Sequence, residues 1–351
     1  MQEQALQFEL EVQRRLPDVL GDLLDEPPLR LSADQRVGDR RADFVSVDEH
    51  GRRWIVEVKA SSRPGVVADA ADQLGTFSDA ADVAVLVVPY MTRAGAETAA
   101  ERRLNWVDLS GNASLRTADR QLYVSVSGRP NRYPAQGRPS SPFAAKSARV
   151  TRTMLLDPSV WWRQKDLADK TGLDDGHVSR IVRRLKDERM LESDGTLVRP
   201  RDPDLLLDAW SEDYRFDRHK VLAGHVSGTG VDLARHIGAL LTKTDHRHGF
   251  TGLAAAWATD GFARFRAVTV YVPGDVRAVA EQLDMSTEER GANVQLVVPD
   301  DIGVLAGSSI HNDLLCVSTP QVYLDLQHLP ERADEAAQHL RDEGLLWDAP
   351  A

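Results

Sequence analysis

Between Gln164 and Pro200 the chain spells out two short helices and a hairpin in close succession. The run Gln164-Lys165-Asp166-Leu167-Ala168-Asp169-Lys170-Thr171 turns Leu167 and Ala168 to one side. Gly172 then supplies the residue that reaches a left-handed backbone at least cost, which predicts a helix stop. Asp174 or Asp175 can cap the next helix by accepting backbone N–H groups. Val178, Ile181, Val182 and Leu185 recur at helical spacing and predict one buried stripe. The opposite face carries His177, Ser179, Arg180, Arg183, Arg184 and Lys186, cationic until Asp187. From Met190 to Arg199, Asp194-Gly195 sits between two apolar stretches, the strongest short-range hairpin signal.

Helix, turn, helix, hairpin is the order of a winged helix, and residues 149 to about 202 resemble bacterial winged-helix transcription regulators of the MarR type. The resemblance implies that the second helix enters the DNA major groove through His177, Ser179, Arg180, Arg183 and Arg184, while the wing touches the backbone or the minor groove. A winged helix used only for protein contacts is the alternative. A net charge of −11 argues, taken alone, against a nucleic-acid binder. The charge is unevenly spread, however. Residues 129–203 hold 16 Lys/Arg against 10 Asp/Glu, whereas residues 1–128 hold 15 against 21 and residues 204–351 hold 12 against 23. Net positive charge is thus concentrated on the segment that would face phosphate.

A length of 351 residues predicts two or three domains. The expected boundaries are 1–128, a linker over 129–146, the winged helix-turn-helix over 147–203, and a further domain over 204–351. The single Cys316 excludes an internal disulfide and fits a reducing compartment. No run of transmembrane length occurs, and Met1-Gln2-Glu3-Gln4 lacks a basic leader, so no membrane association and a cytoplasmic location are expected.

The first segment reads as an α/β domain. Residues Gln2 to Leu24 form a helix with Leu6, Leu10, Leu16, Leu20 and Leu24 near one face, which Pro17 should bend or split. Leu29 to Leu31 reads as a short strand, Arg41 to Val47 and Arg53 to Lys59 as a strand pair, and Pro64 to Phe77 as a helix. Val83 to Val88, Asn105 to Leu109 and Leu122 to Val126 are further strands, with a helix over Thr92 to Leu104. Asp43 lies near the start of one paired strand, and Glu57 and Lys59 lie two apart on the next. Two carboxylates with a lysine suit metal-dependent phosphodiester cleavage: the acids hold Mg²⁺ through oxygen, and the lysine balances charge at the scissile phosphate. A plain ion pair of Glu57 with Lys59 or with Arg41 is the alternative.

Asp43, then Glu57-Val58-Lys59, then Gln73 on the following helix, resembles the PD-(D/E)xK nuclease superfamily, with its restriction-endonuclease-like fold. The resemblance implies catalytic roles for Asp43, Glu57, Lys59 and Gln73, with Asp43 and Glu57 as ligands of Mg²⁺. Glu9 or Glu11 could match the extra acid that some members use, and Ala42 stands where the signature often has Pro. An inactive relic of the fold is a further possibility. Asp108, before Gly111-Asn112, could reach that site or cap its own turn.

Pro130, Pro134, Pro139 and Pro142 mark the linker. Gly128-Arg129-Pro130 and Gly137-Arg138-Pro139 look like half of an AT-hook core, which would set Arg129 and Arg138 in the minor groove; a stiff polyproline-like spacer is the alternative. Beyond residue 204, helices are expected over Pro203 to Trp210, Val231 to Leu241, Phe250 to Trp257, Val276 to Leu283 and Glu331 to Leu346, and strands over Ala267 to Val272 and Val294 to Val298. Asp245-His246-Arg247-His248 has no third ligand nearby and reads as a loop. Thr251 to Trp257, Val268 to Val272 and Tyr323 to Leu326 resemble the C-terminal domain of AbiEi-family type IV antitoxins, a nucleotidyltransferase-like α/β region. The paired acids of an active transferase are not visible on the Val268–Val272 strand, so an interaction module is expected, with a toxin or a second copy of the chain as partner.

Two function classes result. One is a regulator or antitoxin that binds double-stranded DNA, plausibly as a homodimer. The other is a Mg²⁺-dependent endonuclease targeted by its winged helix.

Overall fold

The computed structural model describes residues 2–37, 40–77, 82–117, 122–133, 141–262, 264–287, 291–330, 333–345 and 347. It is a mixed α/β protein of two compact units: residues 1–139 with 187–190, and residues 140–186 with 191–351.

The first unit is built on a seven-stranded sheet in sequential order, β1 (Ser32–Val37), β2 (Arg40–Val47), β3 (Arg53–Val58), β4 (Asp82–Val88), β5 (Asn105–Asp108), β6 (Ala113–Arg116) and β7 (Tyr123–Val126). The β3–β4 and β4–β5 pairs are parallel and the other pairs antiparallel. Parallel neighbours need a crossover, and α2 (Pro64–Leu74) and α3 (Arg93–Glu101) provide the two. The parallel strands carry apolar residues on both faces, as strands covered on both sides do. Ile55, Leu86 and Val88 pack with Val67, Ala70 and Leu74 of α2. Trp54, Val56, Val83 and Val85 pack with Val12, Leu16 and Leu20 of α1 (Gln2–Leu24).

Two expectations are corrected here. α1 runs unbroken through Pro17. Its buried stripe is Val12, Leu16 and Leu20, spaced i, i+4, i+8, while Leu10 is 55% exposed. Anchoring one residue before the proline and three after it offsets the lost backbone hydrogen bond. The strand expected at Leu29 to Leu31 lies instead at Ser32–Val37. It is an edge strand with no apolar alternation to reveal it.

The second unit begins with α4 (Ala148–Leu156), followed by β8 (Trp162–Arg163), α5 (Gln164–Thr171), α6 (Asp175–Asp187), β9 (Leu191–Asp194) and β10 (Leu197–Pro200). These strands form a small sheet, β8-β10-β9. Gly172 adopts φ 67°, the left-handed stop that its position demanded, and Gly195 adopts φ 57° in the hairpin turn. The remainder is a six-stranded sheet in the order β11-β14-β13-β12-β16-β15. Its strands are β11 (Lys220–Gly224), β12 (Gly249–Thr251), β13 (Val268–Tyr271), β14 (Val294–Val298), β15 (Ser309–His311) and β16 (Leu314–Cys316). The helices are α7 (Pro203–Asp213), α8 (Gly230–Lys243), α9 (Gly252–Asp260), α10 (Val276–Gln282), α11 (Thr319–Leu326) and α12 (Ala333–His339), the last running into one π turn, Leu340–Gly344. The helix expected over Phe250 to Trp257 begins two residues later. Phe250 belongs to a strand wedged between β13 and β16, and Gly252, at φ 61°, breaks out of it. The positive φ is what calls for glycine; a Cβ there would also have to displace the end of the Leu329 side chain, 2.5 Å away.

Candidate metal site and candidate nucleic-acid interface

Asp43 lies on β2 one residue before Phe44, which pairs with Val56 of β3, so the same register continued sets Asp43 opposite Glu57. The Asp43 carboxylate accepts the Val58 N–H at 2.7 Å, which fixes it across the strand ends. Lys59, just beyond β3, donates from Nζ to Glu57 Oε1 at 2.6 Å. The three side chains are therefore together, with Glu57 and Lys59 in the ion pair that was the alternative reading. Burial pushes the Glu57 carboxyl above its ordinary range; the Lys59 hydrogen bond opposes this, and the neighbouring Asp43 and Glu9 carboxylates add to the rise. Glu9, on α1, lies near enough to add to that rise, whereas Glu11 pairs with Arg15 on its own helix. Gln73 sits in the last turn of α2 with an exposed side chain, and no hydrogen bond joins that side chain to the other three among the described residues.

Asp108 caps its own turn. Fully buried, it accepts from Met91 N at 3.0 Å, Asn112 N at 2.9 Å and Asn112 Nδ2 at 2.8 Å. The same turn captures Arg129: its N–H donates to Asn112 Oδ1 at 2.8 Å, and Nη1 lies 2.2 Å from where a Cβ on Gly111 would be. The start of the expected linker is thus tied to the first sheet. Arg138 lies outside the described residues. Elsewhere in this unit, Glu26, Asp48 and His50 bring three possible metal ligands together. Arg52 already spans them, at 2.8 Å from Glu26 Oε1 and 2.6 Å from Asp48 Oδ2.

On α6, Val178, Ile181, Val182 and Leu185 are buried as one stripe, and Asp174 Oδ1 caps the helix by accepting His177 N–H at 2.8 Å. The opposite face is uneven in exposure. Arg180 and Arg183 are exposed and make no hydrogen bond or ion pair among the described residues. Ser179 and Arg184 are half-buried. The His177 ring turns back to Ser147 Oγ at 3.0 Å. On the hairpin, Arg199 pairs with Glu192 and stacks over Trp161 at 4.5 Å, and Asp194 occupies the exposed tip. The hairpin consequently presents little free positive charge, and α6 carries the cationic surface.

Behind α4 lies a polar centre that the sequence reading missed. Arg149 holds Asp301 with two bonds, at 2.7 and 2.8 Å, and donates to Thr171 O at the end of α5 at 3.0 Å. Arg152, 3% exposed, donates to Gln321 Oε1 at 2.6 Å. Fully buried Asp325 accepts from Thr251 at 2.5 Å, Tyr271 at 3.0 Å, Gln321 at 2.9 Å and Tyr214. Burial raises its pKa to about 6 against the opposing hydrogen bonds. The available signal was an arginine pair three apart in a helix with no other charge, and one acid inside the apolar run Val322 to Leu326. Among the described residues no helix is long and apolar enough to cross a membrane.

No family model and no curated protein matches this chain. The crystal structure of a repair endonuclease from Pyrococcus abyssi is similar over 27% of this chain and 45% of that one, at 12% identity and a TM-score of 0.22. The chain thus spans less than half of that structure, and a likeness so shallow carries no argument.

Proposed function

We propose that the chain binds double-stranded DNA through α6. The observation that carries this reading is the division of α6 into an apolar stripe and a face on which Arg180 and Arg183 are exposed and make no hydrogen bond or salt bridge among the described residues. Unpaired surface guanidinium groups on the second helix of such a pair suit phosphate contacts and base edges. Gel shifts across a salt series test it. Wild-type affinity should fall steeply with salt, and each loss of a phosphate-contacting Arg should reduce the slope of log K against log salt by about one. Unchanged slopes in Arg180→Ala and Arg183→Ala would remove α6 as the reader.

A second reading, a metal-dependent nuclease in the first unit, is favoured by the juxtaposition of Asp43 and Glu57 across β2 and β3 beside Lys59. Like charges crowded in a half-buried place disfavour ionisation, and a divalent cation relieves them. The donors fit a hard cation: Asp43 keeps one carboxylate oxygen beyond its Val58 bond, and Glu57 keeps Oε2 beyond its Lys59 bond. Bound Mg²⁺ would supply an activated water and charge neutralisation at a phosphodiester. Lys59 would steady charge developing on the phosphate, and Asp43 and Glu57 would position the ion. Incubation of plasmid and branched DNA with Mg²⁺ or Mn²⁺ tests this. Asp43→Ala and Lys59→Ala should abolish cutting while leaving gel-shift affinity intact; absence of cutting by the wild-type protein with either metal would leave the first unit a scaffold. Residues 204–351, with 12 Lys/Arg against 23 Asp/Glu, are proposed as a protein-contact region for a toxin-like partner or a second copy.

A further inference from the structure

A small cavity opens beside α4 in the second unit, with about 30 Å³ of room for the centre of a water-sized particle. Since a water-sized group needs roughly 10–15 Å³, the floor suits one or two oxygens of a ligand whose remaining atoms lie at the exposed rim. Its floor is buried: Arg152, Trp210, Tyr214 and His219. Its rim carries exposed Arg215 and Arg218.

The chemistry of the floor is unusual. Arg152 is a charged group inside the protein whose one hydrogen-bond partner among the described residues is the neutral Gln321 amide. Its Nε and Nη1 are buried and have no hydrogen-bond partner there. A buried guanidinium stacked on Trp210, at 5.0 Å, gains something from the ring, but its remaining donors call for acceptors. Arg152 lies in the field of the Asp301 and Asp325 carboxylates but is hydrogen-bonded to neither: Asp301 is held by Arg149, Asp325 by Thr251, Tyr271, Gln321 and Tyr214, and of the other wall carboxylates Asp213 accepts from Ser141 at 2.5 Å and Asp300 is at the exposed rim. His219 accepts the Asp300 N–H on Nδ1 at 2.9 Å, so its Nε2 carries the proton and points to Tyr214 at 3.0 Å. The floor therefore offers donors and one neutral ring.

We propose that this cavity is a binding site for an oxyanion, the carboxylate or phosphate group of a small molecule, held by Arg152 from below and by Arg218 at the mouth. A charge-assisted bond to an oxyanion satisfies a buried guanidinium in a way a neutral amide does not. The site is independent of any role of the cationic α6 face.

Isothermal titration calorimetry on the full chain, with inorganic phosphate in one arm and acetate in another at constant ionic strength, tests the proposal. Saturable binding in either arm supports it, and the arm that saturates identifies phosphate or carboxylate as the source. Arg152→Gln should abolish binding and Arg218→Ala should weaken it at least threefold. Arg183→Ala, on α6, should leave it unchanged, which separates this site from phosphate attracted to the helix face. Arg218 is exposed, so its variant keeps the test open even where the buried replacement fails to fold. No saturable heat in either arm, or binding unaltered in Arg218→Ala and lost in Arg183→Ala, would overturn it.

Discussion

His219→Gln should make the second unit more stable toward acid than the wild type, because it removes one of two opposed buried titrations. The ring is 9% exposed, and burial lowers its pKa from 6.5 to about 4, with Asp300 opposing and Arg152 adding to the fall. Because the folded value is depressed, the unfolded chain binds more protons between the two values. His219 therefore contributes stability above pH 6.5 that is lost as pH falls toward 4. The shift corresponds to about 3 kcal/mol at about 1.4 kcal/mol per unit. Asp325 works in the opposite sense: its folded value of about 6 lies above 3.8, so its contribution is present below pH 3.8 and lost as pH rises through 6, again about 3 kcal/mol. The two groups share Tyr214 and are surrounded by Arg152, Tyr271, Asp300 and Asp301, so in the native protein their slopes largely cancel. Glutamine can accept the Asp300 N–H and donate to Tyr214, which preserves packing while removing the titration. Urea unfolding at pH 7, 5.5 and 4, followed by tryptophan fluorescence, reads the effect. Relative to wild type, His219→Gln should gain about 3 kcal/mol in going from pH 7 to 4, and Asp325→Asn should lose about as much. Parallel pH profiles for wild type and both variants would refute the reasoning.

Other outcomes follow from single residues. Gly172→Ala should cost about 1 kcal/mol by forcing a Cβ into φ 67°, read as a lowered urea midpoint with an unchanged m value. Asp108→Ala leaves buried donors of Met91 and Asn112 without an acceptor and should cost roughly 3 kcal/mol, visible as a lowered melting temperature and as faster amide exchange at residues 91 and 112. Leu16→Ala, in the fully buried stripe of α1, should cost about 2–5 kcal/mol in chemical denaturation, whereas Leu10→Ala should change little.

What could be read from the sequence was what repeats locally. The stripe of α6, its Asp174 cap, the Gly172 stop and the Asp194-Gly195 turn are each encoded within a few residues, and each is found in place. The apolar strands β3 and β4 were legible because strands covered on both faces are apolar throughout. Edge strands such as β1 and β15 escaped, since Ser32–Val37 is polar and Ser309–His311 too short to show a period. The pairing of Asp43 with Glu57 was suggested by their spacing, but the contribution of Glu9 depends on how α1 packs across the sheet, which no local pattern records. The Arg152–Gln321 and Arg149–Asp301 contacts join residues more than 150 positions apart, so only the folded chain reveals them.

Those last two contacts bear on how this protein can change over generations. A helix–turn–helix segment is commonly imagined as a cassette, exchangeable between proteins to alter what is recognised. Here the helix that precedes the pair is fastened by guanidinium groups to Asp301 and Gln321, both far downstream of Pro200. A chain cut after Asp202, or a transplanted 147–203 segment, would lose these bonds and the Trp210 ring that covers Arg152, and would open the buried side of α4 to water. If α6 reads DNA as proposed, substitution at Arg180 and Arg183 on the exposed face disturbs none of these contacts, whereas exchange of the whole segment breaks them.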